Sequence, residues 1–283
     1  MSPTADSTPT SPVLPTLRLG RHTVTVIPDG SVQLHPRRWL PDSTPGDWQG
    51  VNAGLLDDDG FIEAPITALL VEHPDAERAL LIDTGFGPHD IPGGNTVSII
   101  GALRGGGLPD ALDQVGCGTK GVGTVAFTHL HDDHFGWAFR AGPQHPPPFA
   151  EATLVASADE WAAAQDRPSR TRTATTGEEI YPGVTAWITP GHTRGHTSYV
   201  ISGGARRLIA FGDVFHTPAQ LTRPDWRVSM DSQPEQAVRT RYEMLAELNR
   251  PDTLAFANHF GPGQLGRVTE SGGGLRWERY KGL

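Results

Sequence analysis

Apolar residues in this chain come in short, uninterrupted runs that are separated by loops rich in glycine and proline. Such runs are typical of strands buried on both faces, because successive side chains point to opposite faces of a sheet. In the first part of the chain they predict strands at residues 17–27, 66–72 and 79–82. A long loop at residues 41–60 separates the first two runs, and we expect it to fold over a site or its rim.

Helical spacing of apolar residues is more local. Residues 97–115 have a weak helical pattern that three consecutive glycines interrupt, and a short helix is predicted at 157–166. The clearest helix is predicted at 234–249, with Pro234 in its first turn and Pro251 just beyond its end. The residues that give this spacing are Ala237, Tyr242, Leu245 and Leu248.

Four further apolar runs each lead directly to a potential metal ligand. The runs are 125–127 before His129, 185–188 before His192, 208–211 before Asp213 and 254–256 before His259. Side chains placed just past strand ends project from a rigid scaffold into a shared rim. The pattern therefore predicts one site that is assembled from the whole domain.

The mixture of strands and helices predicts an α/β protein, and 283 residues favour one large domain over two small ones. We expect this domain to span residues 16–283. Residues 1–15 are rich in Ser, Thr and Pro, without the basic and apolar parts of a signal peptide, and predict a disordered tail. The single cysteine, Cys117, allows no internal disulfide and is interpreted as an incidental loop residue.

The charge balance narrows the classes of partner. The net charge is −9, and no run of Lys or Arg exceeds a pair, so we do not expect nucleic acid to bind. No apolar run approaches the ~20 residues that span a bilayer, so no membrane association is expected. A cytoplasmic location is predicted, and a homodimer is left open.

The densest group of chemically active residues is Thr-His-Leu-His-Asp-Asp-His at positions 128–134, an H-x-H-x-D-H cluster. With the three downstream residues it offers seven nitrogen and carboxylate ligands, which suit two borderline metal ions, most simply zinc. The candidate metal ligands are His129, His131, Asp133, His134, His192, Asp213 and His259.

This combination of motifs resembles the metallo-β-lactamase superfamily. The motifs are H-x-H-x-D-H, Thr-Pro-Gly-His-Thr-Arg-Gly-His at 189–196, the later Gly-Asp and the final His, and residues 82–87 are similar to that family's D-T-G-x-G turn. The resemblance covers roughly residues 60–262. It implies an αββα sandwich, with two mixed β-sheets flanked by helices and the metals at one edge of the sheets.

The resemblance also implies how the ligands divide. His129, His131 and His192 would hold one metal ion; Asp133, His134 and His259 would hold the second; Asp213 would bridge them. A bridging carboxylate brings two cations to about 3.5–4 Å, where a shared water becomes hydroxide near neutral pH. Asp133 could in addition accept or pass on a proton. Zinc is the simplest choice for both ions, although the same ligands accept manganese, cobalt or iron.

The aspartate at position 213 makes the chain more similar to some members of this family than to others. The β-lactamases of the closest dinuclear type carry a cysteine at this position, so lactonases, organophosphate hydrolases and glyoxalase II-like thioesterases are favoured. Quorum-quenching lactonases often have a tyrosine three residues after the bridging aspartate, where this chain has His216. The Gly-Asp-x-x-His form is more similar to methyl parathion hydrolase and its lactonase relatives.

The predicted activity is the hydrolysis of a lactone or another ester carbonyl by a metal-bridging hydroxide, with phosphotriesters as a further substrate class. The expected substrate is a neutral or hydrophobic small molecule, and His216 either contacts its reacting oxygen or holds the loop after Asp213. Aromatic residues could line the mouth of the site: Trp39, Trp48, Phe61, Phe86, Phe135 and Trp137. One alternative is a mononuclear-iron oxidoreductase similar to persulfide dioxygenases, and another is a non-catalytic metal-binding sensor.

Three residues beside the motifs are expected to support the site without binding metal. Asp132 occupies a variable position of the motif and is expected to face solvent or a ligand. His196 is expected to be structural, and Asp83 to orient a ligand histidine or cap its turn, because acid–histidine pairs commonly surround metal sites.

Overall fold

The computed structural model of the protein describes residues 13–139, 147–165, 168–261, 263–272 and 274–280. Residues 1–12 of the predicted tail lie outside this part of the chain. The last residues of the predicted tail contact the domain, since the carbonyl oxygen of Pro15 accepts a hydrogen bond from the amide of Val26 at 2.9 Å. The division into a tail and one domain stays a prediction.

In the described part of the chain, nine strands form the first sheet, in the order β5-β6-β2-β3-β4-β7-β8-β9, with β1 paired to β2. Its second half, from β4 to β9, is parallel. The strands are β1 (Thr16–Leu19), β2 (His22–Leu34), β3 (Ile62–Glu72), β4 (Ala79–Ile82), β5 (Asp90–Ile91), β6 (Ile100–Arg104), β7 (Val122–Ala126), β8 (Thr153–Ser157) and β9 (Thr171–Ala174).

The second sheet has seven strands among the described residues, and they are neighbours in chain order from β10 to β16. Only β13 and β14 pair in parallel. The strands are β10 (Glu179–Tyr181), β11 (Val184–Ile188), β12 (Thr197–Ser202), β13 (Arg207–Ala210), β14 (Thr253–Phe256), β15 (Leu265–Ser271) and β16 (Gly274–Arg279).

The helices are few and mostly short. They are α1 (Pro36–Trp39), α2 (Leu108–Gln114), α3 (Asp132–Phe139), α4 (Ala158–Ala163) and α5 (Pro234–Leu248). Short 3-10 helices lie at Pro45–Trp48, Gly50–Leu55, Thr119–Gly121, Gly212–Val214 and Pro218–Leu221. Among the residues with a described position, no helix has both the length and the apolar character needed to cross a lipid bilayer.

The main apolar core lies between the two sheets. Leu80 and Ile82 of β4 pack there with residues of β11 to β15, while Leu81 faces the opposite way, toward α2, α3 and α4. In the second sheet, Leu208 of β13 faces the same core and Ile209 packs against α5. Both faces of the central strands are therefore buried, which explains their continuous apolar runs. This arrangement confirms the predicted α/β sandwich of two mixed sheets flanked by helices.

Two predictions of local structure are wrong. Residues 17–27 form two strands, β1 and β2, because the chain turns at Gly20, whose φ of 59° favours glycine. The first part of residues 97–115 is the strand β6, and only α2 is helical. The backbone of β6 pairs with the edge of β2, and this long-range pairing overrides the weak helical spacing.

The two other helix predictions are confirmed within a few residues. Ser157 caps α4 by accepting a hydrogen bond from the Glu160 amide at 3.2 Å. Pro234 lies in the first turn of α5, which ends before Pro251. Tyr242, however, is 55% exposed, and the buried face of α5 carries Arg241 and Met244 instead.

Strand direction brings the predicted ligands to one edge. Strands β4, β7 and β8 are parallel, so their carboxyl ends share an edge of the first sheet. In the second sheet β11 and β13 both run antiparallel to β12, and β14 is parallel to β13. The carboxyl ends of these three strands therefore also share an edge. The Tyr199 hydroxyl joins the two sheets there by donating to the Phe127 carbonyl at 2.6 Å.

Candidate metal centre

The H-x-H-x-D-H cluster spans the end of β7 and the start of α3. His129 and His131 lie in the connecting turn, and Asp133 and His134 lie in the first helical turn, where the His134 amide donates to the His131 carbonyl at 2.9 Å. Helix α3 packs closely against the turn after β4. A Cβ atom at Gly136 would lie 2.1 Å from the carbonyl carbon of Phe86, so only glycine fits this contact.

One group of three histidines converges on a single point. Nδ1 of His131 lies 2.9 Å from Nε2 of His129 and 2.9 Å from Nε2 of His192. His129 and His192 are buried, and His131 is partly buried at the cavity wall. Three imidazole nitrogens so close together form a group that could hold a metal ion.

A second group contains Asp133, His134 and His259. Oδ2 of Asp133 lies 3.7 Å from Nε2 of His134 and 3.6 Å from Nε2 of His259. These three residues also form a group that could hold a metal ion. The structure thus brings the side chains of this group together from α3 and from the loop after β14.

The Asp213 carboxylate lies between the two groups. Its Oδ2 is 3.5 Å from Nε2 of His192 and 4.0 Å from Nε2 of His129. Its Oδ1 is 3.5 Å from Nε2 of His134 and 3.2 Å from Nε2 of His259. Each oxygen therefore faces a different group, which is the arrangement that a bridging carboxylate requires.

Gly212 allows Asp213 to take this position. Its φ is 54°, and a Cβ atom there would lie 2.7 Å from Nε2 of His196 and 2.8 Å from Cβ of Thr128. The same His196 nitrogen accepts a hydrogen bond from the Asp213 amide at 3.0 Å, so its Nδ1 carries the proton and donates to Thr189 Oγ1 at 2.9 Å. His196 is therefore structural, in agreement with the sequence interpretation.

Carboxylates hold the outer ring nitrogens of two histidines. Asp83 Oδ2 lies 2.9 Å from Nδ1 of His134, and Asp83 also accepts hydrogen bonds from Thr128 and Asn258. Asp231 Oδ1 lies 3.0 Å from Nδ1 of His192. Such partners fix the tautomer that leaves Nε2 free toward the site. The expected role of Asp83 agrees with this geometry.

No motif in the sequence indicated the contact between Asp231 and His192. Asp231 lies in a loop without a motif, and only folding brings it to His192. The fully buried Arg241 of α5 supports it, with Nη1 3.3 Å from Asp231 Oδ2 and two further hydrogen bonds to the carbonyls of Pro224 and Trp226. Helix α5 is therefore connected to His192 through the ion pair between Arg241 and Asp231.

Two histidines of the first group, His129 and His131, have pKa values below the usual range of imidazole. Burial lowers the pKa of His129 well below its usual range, and the neighbouring imidazoles lower it further. Burial, together with the nearby His192, lowers the pKa of His131 to about 4. Neutral imidazoles with free lone pairs are the form that binds a metal.

The second group is charged. Burial opposes the protonated form of His134, but nearby carboxylates, Asp133 first among them, outweigh burial and raise its pKa well above the usual value. Asp213 raises the pKa of His259 in the same way against burial. For Asp213 itself, burial favours the neutral acid, but His259 and His134 outweigh burial and hold its pKa well below the usual range. A cation that enters this group would displace the histidine protons.

Several buried polar atoms of the site have no hydrogen-bond partner in the described structure. They include Nε2 of His134, Oδ1 of Asp213 and both ring nitrogens of His216. Buried polar atoms are normally paired, so a cluster of unpaired nitrogen and oxygen atoms that face one another fits a site for bound cations. His216 lies next to the two groups, with Nε2 3.2 Å from Asp213 Oδ2 and its ring 4.8 Å from that of His192.

A cavity of about 300 Å³ opens onto these residues. Its polar lining consists of His131, Asp132, Asp133, His192, Asp213, His216 and His259, of which only Asp132 is exposed. The remaining wall is apolar and consists of Val32, Leu34, Trp39, Phe86, Ile100, Leu103, Leu130 and Met230. Two of the predicted aromatic residues, Trp39 and Phe86, therefore line the cavity.

The other four aromatic residues lie elsewhere. Trp48 packs against Trp226, with ring centroids 5.8 Å apart, and Phe61 packs against His35. Phe135 lines a neighbouring cavity, and Trp137 donates to Asp29 at 2.7 Å. Residues 41–60 support the wall from behind, and no described side chain of this segment lines the cavity.

Residues 62–257 match the family model of the metallo-beta-lactamase superfamily. The chain belongs to that superfamily. This membership identifies the protein as a metal-dependent hydrolase and confirms the resemblance read from its motifs. Among curated proteins, no sequence matches the chain.

Solved structures agree with this fold. AidC, a dizinc quorum-quenching lactonase in complex with a homoserine product, is 21% identical, with a TM-score of 0.79 over 95% of this chain and 98% of its own. The hydrolase AbOPH is 22% identical, with a TM-score of 0.77 over 94% and 96%. An AiiA variant from B. thuringiensis with N-decanoyl-L-homoserine bound at its active site is 19% identical, with a TM-score of 0.66 over 84% and 93%.

Proposed function

We propose that the protein is a dinuclear-metal hydrolase that opens a lactone, or cleaves another neutral ester, with an apolar substituent. The observation that carries the proposal is the position of the Asp213 carboxylate, whose two oxygens face two separate histidine groups. His129, His131 and His192 would hold one divalent ion; Asp133, His134 and His259 would hold the other. Two zinc ions are the simplest occupants.

When bound, the two metal ions would supply a water acidified to hydroxide near neutral pH, and their positive charge would stabilise the oxyanion that develops on the substrate. In the reaction, water adds to the acyl carbon, and the bond from that carbon to the ring oxygen breaks. Asp133, which lines the cavity, would take a proton from the water and return one to the departing alkoxide. The product is a hydroxy acid.

His216 would hold the reacting oxygen of the substrate. It is a buried side chain at the cavity wall; neither ring nitrogen makes a hydrogen bond of good geometry with a described residue, and the nearest contact is Nε2 at 3.2 Å from Asp213 Oδ2. Burial lowers its pKa, against the opposing effect of Asp213, so the ring is neutral at physiological pH and keeps one N–H to donate. Trp39 packs edge-on against this ring at 5.4 Å and limits its movement.

The cavity supports a neutral substrate with an apolar arm. No lysine or arginine lines it among the described residues, and most of its wall consists of aliphatic and aromatic side chains. A carboxylate or phosphate on the arm would lose its hydration there without gaining a cation. An alkyl or acyl chain would instead bury apolar surface, which is favourable. AidC and AiiA, which have this fold, were solved with acyl-homoserines bound: a product in AidC and N-decanoyl-L-homoserine in AiiA.

Metal analysis combined with a substrate panel tests the proposal. The panel contains lactones of increasing alkyl length, an aryl ester, a thioester and a phosphotriester. Two equivalents of divalent metal and chelator-sensitive hydrolysis of the longer lactones are expected. One equivalent of iron with oxygen consumption would instead support a mononuclear oxidoreductase, and metal binding without turnover of any panel member would support a sensor.

The apolar wall gives a second test. Leu103→Trp should fill part of the cavity and reduce kcat/KM for a long-chain lactone by roughly tenfold or more, because hydrophobic pockets discriminate by about that factor per misfit group. The rate for a short-chain lactone should change little. Val97→Trp, at a 65% exposed position in the same stretch, is the matched control. Equal effects of the two variants on the long-chain substrate would contradict the assignment of the wall.

A further inference from the structure

A buried carboxylate outside the two ligand groups joins the loops that carry the first group. Glu160 lies in the first turn of α4, and only 4% of its surface is exposed. Its Oε2 accepts a hydrogen bond from the Leu130 amide at 2.9 Å, and its Oε1 accepts one from the Thr193 hydroxyl. Both oxygens are therefore committed to backbone or side-chain donors of neighbouring loops.

Both donors are adjacent to candidate ligands. Leu130 lies between His129 and His131 in the turn after β7 of the first sheet. Thr193 follows His192 in the loop after β11 of the second sheet. One side chain thus connects the two loops, from opposite sheets, that carry the three histidines of the first group.

The surrounding packing fixes the position of this side chain. A Cβ atom at Gly195 would lie 2.1 Å from Ser157 Oγ and 2.7 Å from the Glu160 amide nitrogen, so the loop after His192 lies directly on the start of α4. The described residues offer Glu160 no ion pair. Burial of a carboxylate without a cationic partner costs free energy, which its hydrogen bonds must offset.

We propose that Glu160 is a positioning residue for the first metal site. By bonding to Leu130 and Thr193, it holds the turn of His129 and His131 at a fixed distance from His192. The second site does not depend on it, because Asp133, His134 and His259 are held by α3 and the loop after β14. This inference rests on the proposed function, since it requires that the first three histidines bind a metal ion.

Metal titration of the purified full chain tests this role. Metal-free wild type and variants are titrated with Zn²⁺ by calorimetry and with Co²⁺ by visible absorption. Repeating the titration in a His259→Ala background assigns the first site, because this change leaves the three histidines of that site intact. Glu160→Ala should weaken the first site by about 10–100-fold, the usual effect of removing a residue that orients ligands. Affinity at the second site should stay within a few-fold.

Two conservative variants distinguish a positioning role of Glu160 from an effect of its negative charge and from a loss of folding. Glu160→Gln can still accept from Leu130 and can donate to Thr193 Oγ1, so it should restore most of the first-site affinity. Thr193→Val removes one hydrogen bond and should cause a smaller loss at the first site alone. Asp159→Asn, an exposed carboxylate on the same helix and in the same neighbouring cavity, should have no effect.

The outcomes distinguish this inference from the proposed function. Unchanged first-site affinity in Glu160→Ala, or equal weakening of both sites, would overturn the positioning role while the wild type still binds two ions. If Glu160→Ala does not fold, unchanged affinity in Thr193→Val would overturn it. A wild type that binds no metal would overturn the proposed function and this inference with it.

Discussion

The Asp133 carboxylate combines contact with the second histidine group and exposure to the cavity. Its Oδ2 lies near the ring nitrogens of His134 and His259, while 25% of the side chain stays exposed and lines the cavity. The buried Asp213 has no such exposure. Of the two carboxylates among the candidate ligands, Asp133 is therefore the better placed for the proposed proton exchange with a substrate.

Asp133→Asn tests this double role. The amide oxygen can still face the second group, but the side chain can no longer take up a proton. We expect kcat to fall by about 100-fold or more, the usual range for loss of general acid–base catalysis. Metal content is measured on the same sample. Full turnover with both metals retained would rule out proton transfer by Asp133.

His216→Phe tests the contact with the reacting oxygen. Phenylalanine keeps the ring that packs against Trp39 but loses both nitrogens. If His216 donates a hydrogen bond in the transition state, kcat should fall by roughly 100-fold while two metals remain bound. If it only holds the loop after Asp213, thermal stability should fall and kcat should not. Measuring kcat, KM and the unfolding temperature separates the two roles.

At the scale of elements, the segment at 41–60 and the loop before α5 form one unit behind the cavity wall. Asp42 Oδ1 lies 2.5 Å from Nη2 of Arg227, and Trp48 packs on Trp226. The Ser229 amide donates to the carbonyl of Trp39 at 2.9 Å. The unit thus holds the cavity-lining Trp39 in place and contributes Met230 to the cavity wall.

The Asp42–Arg227 pair makes the stability of this unit depend on pH. The hydrogen bond from Arg227 holds the pKa of Asp42 at about 2, below the ordinary value near 3.9 of an unfolded chain. A lowered folded-state pKa contributes stability that is complete above about pH 4 and is lost as the pH falls toward 2. Because the pair is partly exposed, its contribution should be about 1 kcal/mol or less.

Asp42→Asn should therefore lower the free energy of unfolding by about that amount at pH 7, with a smaller difference at pH 3. Urea unfolding of wild type and variant at several pH values measures it. Asp58→Asn, an exposed residue of the same segment, serves as the control. A difference that is constant from pH 7 to pH 3 would show that the ion pair is not its source.

At the scale of the whole molecule, the candidate ligands connect the two sheets. Those after β7 belong to the first sheet, and His192, Asp213 and His259 follow strands of the second. Ions bound between them would occur only in the folded state, because unfolding separates the strands. Metal binding should consequently stabilise the whole sandwich.

Chelation should lower the unfolding temperature. Free metal at about a hundred times the dissociation constant contributes about 2.7 kcal/mol per site, which corresponds to roughly 5–10 °C for a domain of this size. Added zinc should reverse the change. Asp213→Ala should respond much less to either reagent, because it lacks the shared ligand. An unfolding temperature that is the same with and without chelator would contradict a metal centre in the folded protein.

The sequence alone identified the candidate ligands and the buried strands, and the resemblance of its motifs to a known superfamily implied the sandwich. Buried strands must be apolar on both faces, so β4, β13 and β14 were visible as uninterrupted runs. Candidate metal ligands can be recognised from residue type and spacing. The motif at 128–134 and the residues His192, Asp213 and His259 could therefore be identified without coordinates. These features are local in the chain.

Only the tertiary structure decided which partners surround those ligands. Strand β6 exists because it pairs with the edge of β2, against its own weak helical pattern. Asp231 and Glu160 reach the site from a loop and a short helix that carry no motif, because their hydrogen bonds join segments distant in the chain. The cavity wall likewise combines β2, β6, α1 and the turn after β4. Such contacts depend on packing in three dimensions, which residue spacing does not encode.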